Sequence, residues 1–312
     1  MRGFFLNEEI EKILKAGKIA KDVMEYGLSL MRPGVLLYEI CTKIEKRIIN
    51  NGGMPAFPVN ISINNVAAHY TSPIGDKKRL AKGMLVKLDI GVHVDGYIAD
   101  TARSIVVGGK MSEEQERLIR ASEKALLAAE KKIRAGVRIS NIGRVIEEAI
   151  KSEGFIPVYD LSGHTIQRYK IHGGLSIPNH GTPSLLSPKL KEGMLIAIEP
   201  FATTGKSGRI RENSHAYIFS IRTTNYNGPD KELVQELYNR FKTLPFASRW
   251  ITWLKKRVVE SKLNFLSKSG VLHRYPVLID VDNGIVSQAE NTYIVTRDGF
   301  IKVTNEDYVV LR

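Results

Sequence analysis

The chain contains an internal repeat, and this repeat constrains the fold more than any other feature of the sequence. Arg32-Pro33-Gly34-Val35 returns as Arg134-Ala135-Gly136-Val137, and the same spacing relates further positions in the two copies. The matched pairs are Ile40 and Ile142, Ile44 and Ile146, Glu45 and Glu147, Ile48 and Ile150, Gly52 and Gly154, and Pro55 and Pro157. This pattern predicts a long helix in each copy that ends at glycine and proline.

A second pair of matching segments carries acidic residues. Gly83-Met84-Leu85-Val86-Lys87-Leu88-Asp89 resembles Gly193-Met194-Leu195-Ile196-Ala197-Ile198-Glu199, so Asp89 and Glu199 occupy equivalent positions. Amphipathic patterns over residues 7–31 and 112–133 predict one helix before each half, and the second pattern starts with a capping box. We therefore predict an α+β fold of two similar halves, with helices outside and the site between the halves.

The second half is interrupted after about Ser220. Helical spacing covers residues 231–241, 250–259 and 263–266, and strand patterns return at 275–281 and 285–295. We interpret residues 222–273 as a helical insertion within one catalytic domain that spans residues 1–312. Lys255-Lys256-Arg257 in this insertion is either a solvated helix face or a binding patch.

Asp95-Gly96 lies between two runs of alternating apolar residues and predicts a two-residue hairpin turn. Asp89 then falls opposite Ala102, and Asp100 lies one diagonal step away on the same sheet face. Two carboxylates that share a site repel each other unless a cation or a proton neutralises them, so the pair favours metal binding. The alternative is a pair of solvated acids on an exposed hairpin.

Four further side chains have the chemistry of metal ligands. Glu199 ends an apolar strand pattern, and Glu290 lies inside another, where a buried carboxylate would be costly without a cation. His164 and His172 flank a polar stretch, although a lone histidine is more often structural. Each glutamate could also be a surface residue of an edge strand.

Together these residues form an oxygen-rich ligand set of four carboxylates and one imidazole: Asp89, Asp100, His164, Glu199 and Glu290. This set favours Mn, Fe(II) or Co, with Zn possible, over a tetrahedral structural zinc site. Two metals held by bridging carboxylates would support metal-assisted hydrolysis.

The composition is that of an ordinary globular protein with one large domain or two modest ones. The 312 residues are 43% hydrophobic and 25% charged, and no apolar run approaches the roughly 20 residues that span a bilayer. We therefore expect a cytoplasmic protein. Cys41 is the only cysteine, which excludes an internal disulfide. The net charge of +13 suggests a polyanionic neighbour such as RNA, although a basic proteome would give the same balance.

Several motifs closely resemble the type II methionine aminopeptidases of the M24 metallopeptidase family, in their short archaeal form. They are Phe57 to Thr71, Leu88 to Gly91, Ala99 to Ala102, Gly163 to Ile166, Lys170 to His172, Ile198 to Phe201 and Gln288 to Glu290. The resemblance covers nearly the whole chain, and it includes the helical insertion with Thr243-Leu244-Pro245-Phe246 that separates type II from type I.

The resemblance implies the pita-bread fold and removal of the initiator methionine from nascent proteins when the second residue is small, through a water activated by two divalent metals (Co, Mn, Fe(II) or Zn). Carried over by position, Asp89, Asp100 and Glu290 would hold one metal, and Asp100, His164, Glu199 and Glu290 the other. A monomer that contacts the ribosome transiently would fit this role.

The resemblance also implies roles for individual side chains. Glu199 would move a proton from the attacking water to the leaving amine, His172 would contact the scissile carbonyl, and His69 would contact the substrate nearby. Phe57 and His215 match positions that line the methionine pocket.

One departure and two rivals accompany this interpretation. The family pattern has an aromatic residue before the last glutamate and often a histidine after it, whereas this chain has Ala289 and Asn291, which could shift metal affinity or preference. Prolidase and aminopeptidase P use the same ligands, but the insertion fits type II instead. A catalytically dead relative that binds RNA or ribosomes is disfavoured by the intact ligand set.

Overall fold

The predicted repeat is visible in the order of helices and strands of the structure, a computed structural model that describes residues 7–182, 186–304 and 310–311. The first half comprises α1 (Asn7–Leu30), α2 (Leu37–Asn50), β1 (Met54–Pro55), β2 (Asn60–Ile63), β3 (Val66–Ala68), β4 (Leu85–Val94) and β5 (Tyr97–Val106). The second half comprises α3 (Glu113–Glu130), α4 (Ile139–Ser152), β6 (Ile156–Pro157), β7 (Ser162–Ile166), β8 (Ser176–Pro178), β9 (Leu195–Ile198) and β10 (Phe201–Thr203).

The remaining elements follow the second half. They are β11 (Ile210–Ile221), α5 (Lys231–Phe241), β12 (Phe246–Ala247), a short 3₁₀ helix (Ser248–Trp250), α6 (Lys256–Lys268), β13 (Leu272–Asp280), β14 (Val286–Gln288), β15 (Asn291–Val295), β16 (Phe300–Lys302) and β17 (Val310–Leu311).

The two halves share their turns as well as their elements. Gly34 and Gly136 both adopt φ of +85°, a left-handed conformation that glycine takes without steric cost. The N–H of Gly34 donates to the Leu80 carbonyl (2.7 Å), and the N–H of Gly136 donates to the Leu190 carbonyl (2.8 Å). Each turn is followed by a helix of 14 residues. The repeat in the sequence therefore encodes the same turn-helix unit twice.

Among the described residues, the strands form four antiparallel sheets. One sheet belongs to the first half and has the order β1-β4-β2, with β5 also paired to β4. A second sheet joins strands of the second half to later strands in the order β17-β16-β15-β9-β7-β8. A third sheet, β14-β10-β6, and a fourth, β12-β11-β13-β3, complete the arrangement. Because β3 pairs with β13, the fourth sheet joins the first half to the strand that leaves the insertion.

Helices cover the sheets of each half. α1 packs on β4 and β5, and α3 packs on α4. Ser112 forms the predicted capping box with Gln115 at the start of α3. Within the described part of the chain, no helix combines the length and the apolar character that crossing a membrane requires.

The segment predicted as an insertion has an apolar cluster of its own, in which Leu237 on α5 and Leu266 on α6 are fully buried. Helix was predicted over 250–259, but α6 begins only at Lys256. A 3₁₀ helix over Ser248–Trp250, in which Arg249 is buried, precedes α6, and residues 251–255 between the two are not helical. The strand predicted over 285–295 is likewise divided, because the chain leaves its pairing with β10 at Gln288 and pairs with β9 from Asn291.

Candidate metal centre

A cavity of about 300 Å³ is lined by residues of both halves. Its lining includes all five predicted ligands: Asp89, Asp100, His164, Glu199 and Glu290. These side chains come from β4, β5, β7, the end of β9 and the junction of β14 with β15. Five separate segments therefore meet at one point.

The β4–β5 hairpin places the first two acids as the sequence predicts. Asp95 and Gly96 have φ of +52° and +86°, as a tight two-residue turn requires. Asp89 pairs with Ala102 and Asp100 pairs with Gly91, which confirms the predicted register. Both carboxylates consequently lie on one sheet face, a diagonal step apart.

The second half contributes His164 and Glu199. His164 pairs with Ala197 of β9, and Glu199 lies two residues after Ala197, directly beyond the end of that strand. The Nε2 of His164 is 3.4 Å from the Glu199 Oε1 and 3.7 Å from the Asp100 Oδ2. The imidazole thus lies between carboxylates from both halves.

Glu290 is tied to the hairpin through its backbone. Its N–H donates to the Ala102 carbonyl (3.0 Å), and its carbonyl accepts from the Ala102 N–H (3.3 Å). Since Ala102 lies opposite Asp89, this bridge brings Glu290 to the acidic pair. Ligand atoms of Asp100, His164 and Glu290 all lie within 4.8 Å of one another, a separation suited to holding a metal ion.

The electrostatics of the centre favour a cation. Asp89 Oδ1, Asp100 Oδ1 and Glu290 Oε1 are buried and have no hydrogen-bond partner among the described residues. Burial raises the pKa of Asp89 to about 7, and burial together with neighbouring carboxylates raises the pKa of Asp100, Glu199 and Glu290 well above the ordinary range. Divalent metals would coordinate the unpartnered oxygens and neutralise the repulsion between the buried carboxylates. The oxygen-rich donor set suits such metals.

Asn291 follows Glu290 in sequence and stabilises its backbone. In the amide orientation that satisfies both of its polar atoms, Asn291 donates to the Glu290 carbonyl (2.9 Å) and to Thr304 Oγ1 (2.8 Å), and it accepts from Lys302 Nζ (3.1 Å). Ala289 is buried in the apolar cluster of the second half. With Ala289 and Asn291 beside it, Glu290 therefore keeps its backbone N–H and carbonyl groups hydrogen-bonded.

His69 and His172 line the same cavity from opposite halves. The ring of His172 lies 4.6 Å from that of His164, and the ring of His69 lies 5.6 Å from that of Tyr275. Burial, followed by the neighbouring His172, lowers the pKa of His69 to about 4. Its Nδ1 is 3.2 Å from the Pro276 carbonyl, which can only accept. The neutral ring therefore presents Nε2 as an acceptor.

The two residues expected in a methionine pocket are separated. Phe57 lines the cavity, but His215 lines a neighbouring cavity of about 310 Å³, where it stacks on Tyr217. The pairing of β11 with β13 shifts register between Glu212 and Ala216, which changes the face on which the intervening side chains project. The structure thus does not place His215 in the wall that Phe57 forms.

Sequence reasoning gave no role to several residues that line the cavity, Asn60 and Tyr275 among them. Asn60 belongs to the Phe57 to Thr71 motif, and its position opposite Asp89 follows only from the pairing of β2 with β4. Tyr275 reaches the cavity from β13, whose pairing spans the insertion. Neither contact has a local signal in the sequence.

Comparison with known proteins gives the family. The profile of metallopeptidase family M24 matches residues 11–241. The chain belongs to metallopeptidase family M24. Among curated relatives, the methionine aminopeptidase of Pyrococcus abyssi is 46% identical over 299 residues, which cover 95% of this chain and 99% of the relative. That of Saccharolobus solfataricus is 40% identical over 302 residues, covering 95% and 98%.

Solved structures show the same fold at lower identity. A thermophilic Arx1 is similar with a TM-score of 0.85 at 18% identity, covering 98% of this chain and 93% of the other. The methionine aminopeptidase of Thermotoga maritima has a TM-score of 0.72 at 22% identity, covering 98% and 100%. Prolidase from Pyrococcus furiosus reaches 0.63 at 21% identity, covering 97% and 66%. The predicted α+β pita-bread fold is confirmed.

Proposed function

We propose that this protein removes the initiator methionine from nascent polypeptides whose second residue is small. The observation that carries the proposal is the convergence of five ligand-type side chains and two histidines on one cavity. The curated relatives that match the chain over nearly its full length, at 40–46% identity, are methionine aminopeptidases. Membership of family M24 is consistent with metal-dependent peptide hydrolysis, since this family consists of metallopeptidases.

The proposed centre takes two divalent metal ions. Asp89 would hold one ion, His164 and Glu199 would hold the other, and Asp100 and Glu290 would bridge them. When bound, such ions polarise a carbonyl oxygen and lower the pKa of water. Co, Mn, Fe(II) and Zn all accept this donor set, so the identity of the bound metal has to be measured.

The residues of the chain then share the remaining chemistry. Glu199 takes the proton of the attacking water and delivers it to the departing amine, which its place beside Asp100 and His164 allows. His172 donates a hydrogen bond to the scissile carbonyl oxygen as negative charge develops there. His69 accepts from a peptide N–H near the cleaved bond through Nε2. Phe57 supplies an apolar wall for the methionine side chain.

We further propose that residues 222–273 form a type II insertion that shapes the rim of the cavity. Pro245 of this segment and Tyr275 just beyond it both line the cavity. A narrow rim there would restrict the second residue of the substrate to small side chains. We also propose that the protein is a cytoplasmic monomer that meets its substrates at the ribosome. The net charge of +13 favours contact with the polyanionic ribosome.

Peptide hydrolysis after chelation and resupply of Mn, Fe(II), Co or Zn tests this function. Met-Ala-Ser should be cleaved rapidly and Ala-Pro-Pro should not, whereas the reverse would indicate an enzyme like aminopeptidase P. Among dipeptides, Met-Gly and Met-Ala should be cleaved well and Met-Leu and Leu-Gly poorly. Comparable rates on Leu-Gly would contradict a methionine pocket, and comparable rates on Met-Leu would contradict the narrow rim.

Replacement of a bridging ligand tests the centre itself. Glu290→Gln should abolish the metal-dependent activity and lower the bound metal, while circular dichroism remains that of a folded protein. Glu116→Gln on the exposed face of α3 is the matched control and should change neither property. Full activity in Glu290→Gln would exclude the bridging role.

A further inference from the structure

Asn60 is a buried polar residue that the proposed chemistry leaves without a role. It begins β2, and it pairs directly with Asp89 on β4. Residues that face each other across an antiparallel pair project from the same sheet face. Asn60 is only 4% exposed, and it lines the cavity of the metal centre.

The orientation of the Asn60 amide is fixed by one hydrogen bond. Its Nδ2 donates to the Pro58 carbonyl (2.9 Å), which leaves Oδ1 on the opposite side. A reversed amide would place two oxygens against each other. The Oδ1 atom is buried and has no donor among the described residues. A buried acceptor of this kind is costly unless a ligand supplies the missing hydrogen.

The position of Phe57 indicates which part of a substrate lies next to Asn60. A Cβ atom on Gly91 would fall 2.2 Å from the Phe57 ring, so this ring packs directly on β4 two residues beyond Asp89. Phe57 and Asn60 therefore lie against two residues of β4, Gly91 and Asp89, that project from the same sheet face. In the first residue of a peptide, the side chain and the α-amino group leave the same carbon atom. If the side chain lies on Phe57, the amino group is within reach of Asn60.

We propose that Oδ1 of Asn60 accepts a hydrogen bond from the free α-amino group of the first substrate residue, an assignment that rests on the aminopeptidase function proposed above. The other parts of the substrate fit less well. The thioether sulfur has no hydrogen to donate. The peptide N–H near the cleaved bond is already assigned to Nε2 of His69. A free amino group distinguishes the end of a chain from its interior, so Asn60 would help to restrict cleavage to N-termini.

Calorimetry with two ligands isolates this hydrogen bond. L-Methionine and 4-(methylthio)butanoate, which lacks only the α-amino group, are titrated into the manganese-loaded protein. In Asn60→Ala the affinity for methionine should fall about tenfold, equivalent to roughly 1.4 kcal/mol, and the affinity for the des-amino compound should change less than about twofold. Asn60→Leu fills the same space without an acceptor and decides the question if the alanine variant does not fold.

Ser62→Ala is the matched control. Ser62 lies two residues along β2, is 2% exposed, and has a hydroxyl group with no partner among the described residues, but it does not line the cavity. It should leave both affinities unchanged. An equal loss for both ligands, no loss for either, or loss of bound metal in the Asn60 variants would overturn the proposal. Failure of the unaltered protein to cleave Met-Ala-Ser would instead reject the proposed function, and the binding comparison would still be measured.

Discussion

The two halves of the molecule use the same contact between a helix and a loop, but only one half buries it. Glu45 on α2 accepts from the Val59 N–H (3.2 Å), and Glu147 on α4, its counterpart in the repeat, accepts from the Gly181 N–H (2.8 Å). Glu147 also pairs with Lys151 near the surface. In each half a glutamate of the second helix therefore accepts a hydrogen bond from the backbone of a later loop.

The insertion changes this contact in the first half. Arg249 is 4% exposed and forms an ion pair with Glu45, and the Trp250 indole N–H donates to the same carboxylate (2.9 Å). Arg249 also donates to the Ser72 carbonyl (3.2 Å). Val59, which donates to Glu45, lies between Phe57 and Asn60, which line the cavity. The glutamate contact therefore lies near the surface in the second half, whereas in the first half it is buried and connects the insertion to the wall of the cavity.

The largest difference between the halves should appear at their two equivalent acids. Glu199→Gln should lower kcat about 10³–10⁴-fold even at saturating metal, because it removes the residue that transfers the proton. Asp89→Asn should act mainly through metal affinity and recover part of its loss as metal is raised. Steady-state kinetics across a metal titration would separate them, and identical recovery in both variants would contradict a separate role for Glu199.

The buried link should matter more for stability than its surface counterpart. Arg249→Met leaves the Glu45 carboxylate buried without its partner and should lower the free energy of unfolding by about 3–5 kcal/mol. Lys151→Met should lower it by about 0–1 kcal/mol, because the pair with Glu147 is near solvent. Urea unfolding measures both. The double variant Glu45→Met/Arg249→Met should recover much of the loss, and no recovery would count against an ionic origin.

The two histidines, one from each half, should differ in kinetics. His172→Ala should reduce kcat about 10²–10³-fold, as expected when a donor to a developing oxyanion is lost, with bound metal unchanged. His69→Ala should act more on KM, because its neutral ring accepts from the substrate. Metal analysis and kinetics with Met-Ala-Ser test both variants. Loss of metal in His172→Ala would identify this residue as a ligand instead.

The smallest expected effect concerns acid stability in the second half. Burial raises the pKa of Glu147, but hydrogen bonds from Lys151 and the Gly181 N–H lower it overall. A lowered folded pKa stabilises the protein above the ordinary value of 4.5 and loses this contribution as the pH falls through the folded value. Glu147→Gln should therefore be slightly less stable at neutral pH and match the unaltered protein in acid. A constant difference at all pH values would exclude this linkage.

Local patterns predicted the parts of the structure that depend on local geometry. Asp95-Gly96 determined the hairpin register, and the repeat predicted α2 and α4. The joint placement of the acids of the centre was inferred because carboxylates in apolar strands require compensation.

The remainder depended on contacts between distant segments. The bulge in β11 turned His215 toward another cavity, and the pairing of β14 with β10 ended the strand before Glu290. The position of Asn60 beside Asp89 depends on the pairing of β2 with β4. None of these pairings is encoded by the composition of the segment it affects.

The bridge between Ala102 and Glu290 has a consequence for the timing of assembly. The Thr101 hydroxyl donates to the Glu290 carbonyl across 189 residues of chain, so a nascent copy of this protein exposes its acidic hairpin long before Glu290 leaves the ribosome. Closing so long a loop is slow. We therefore expect the metal to load as one of the last steps of biosynthesis, which keeps partly synthesised copies hydrolytically inert.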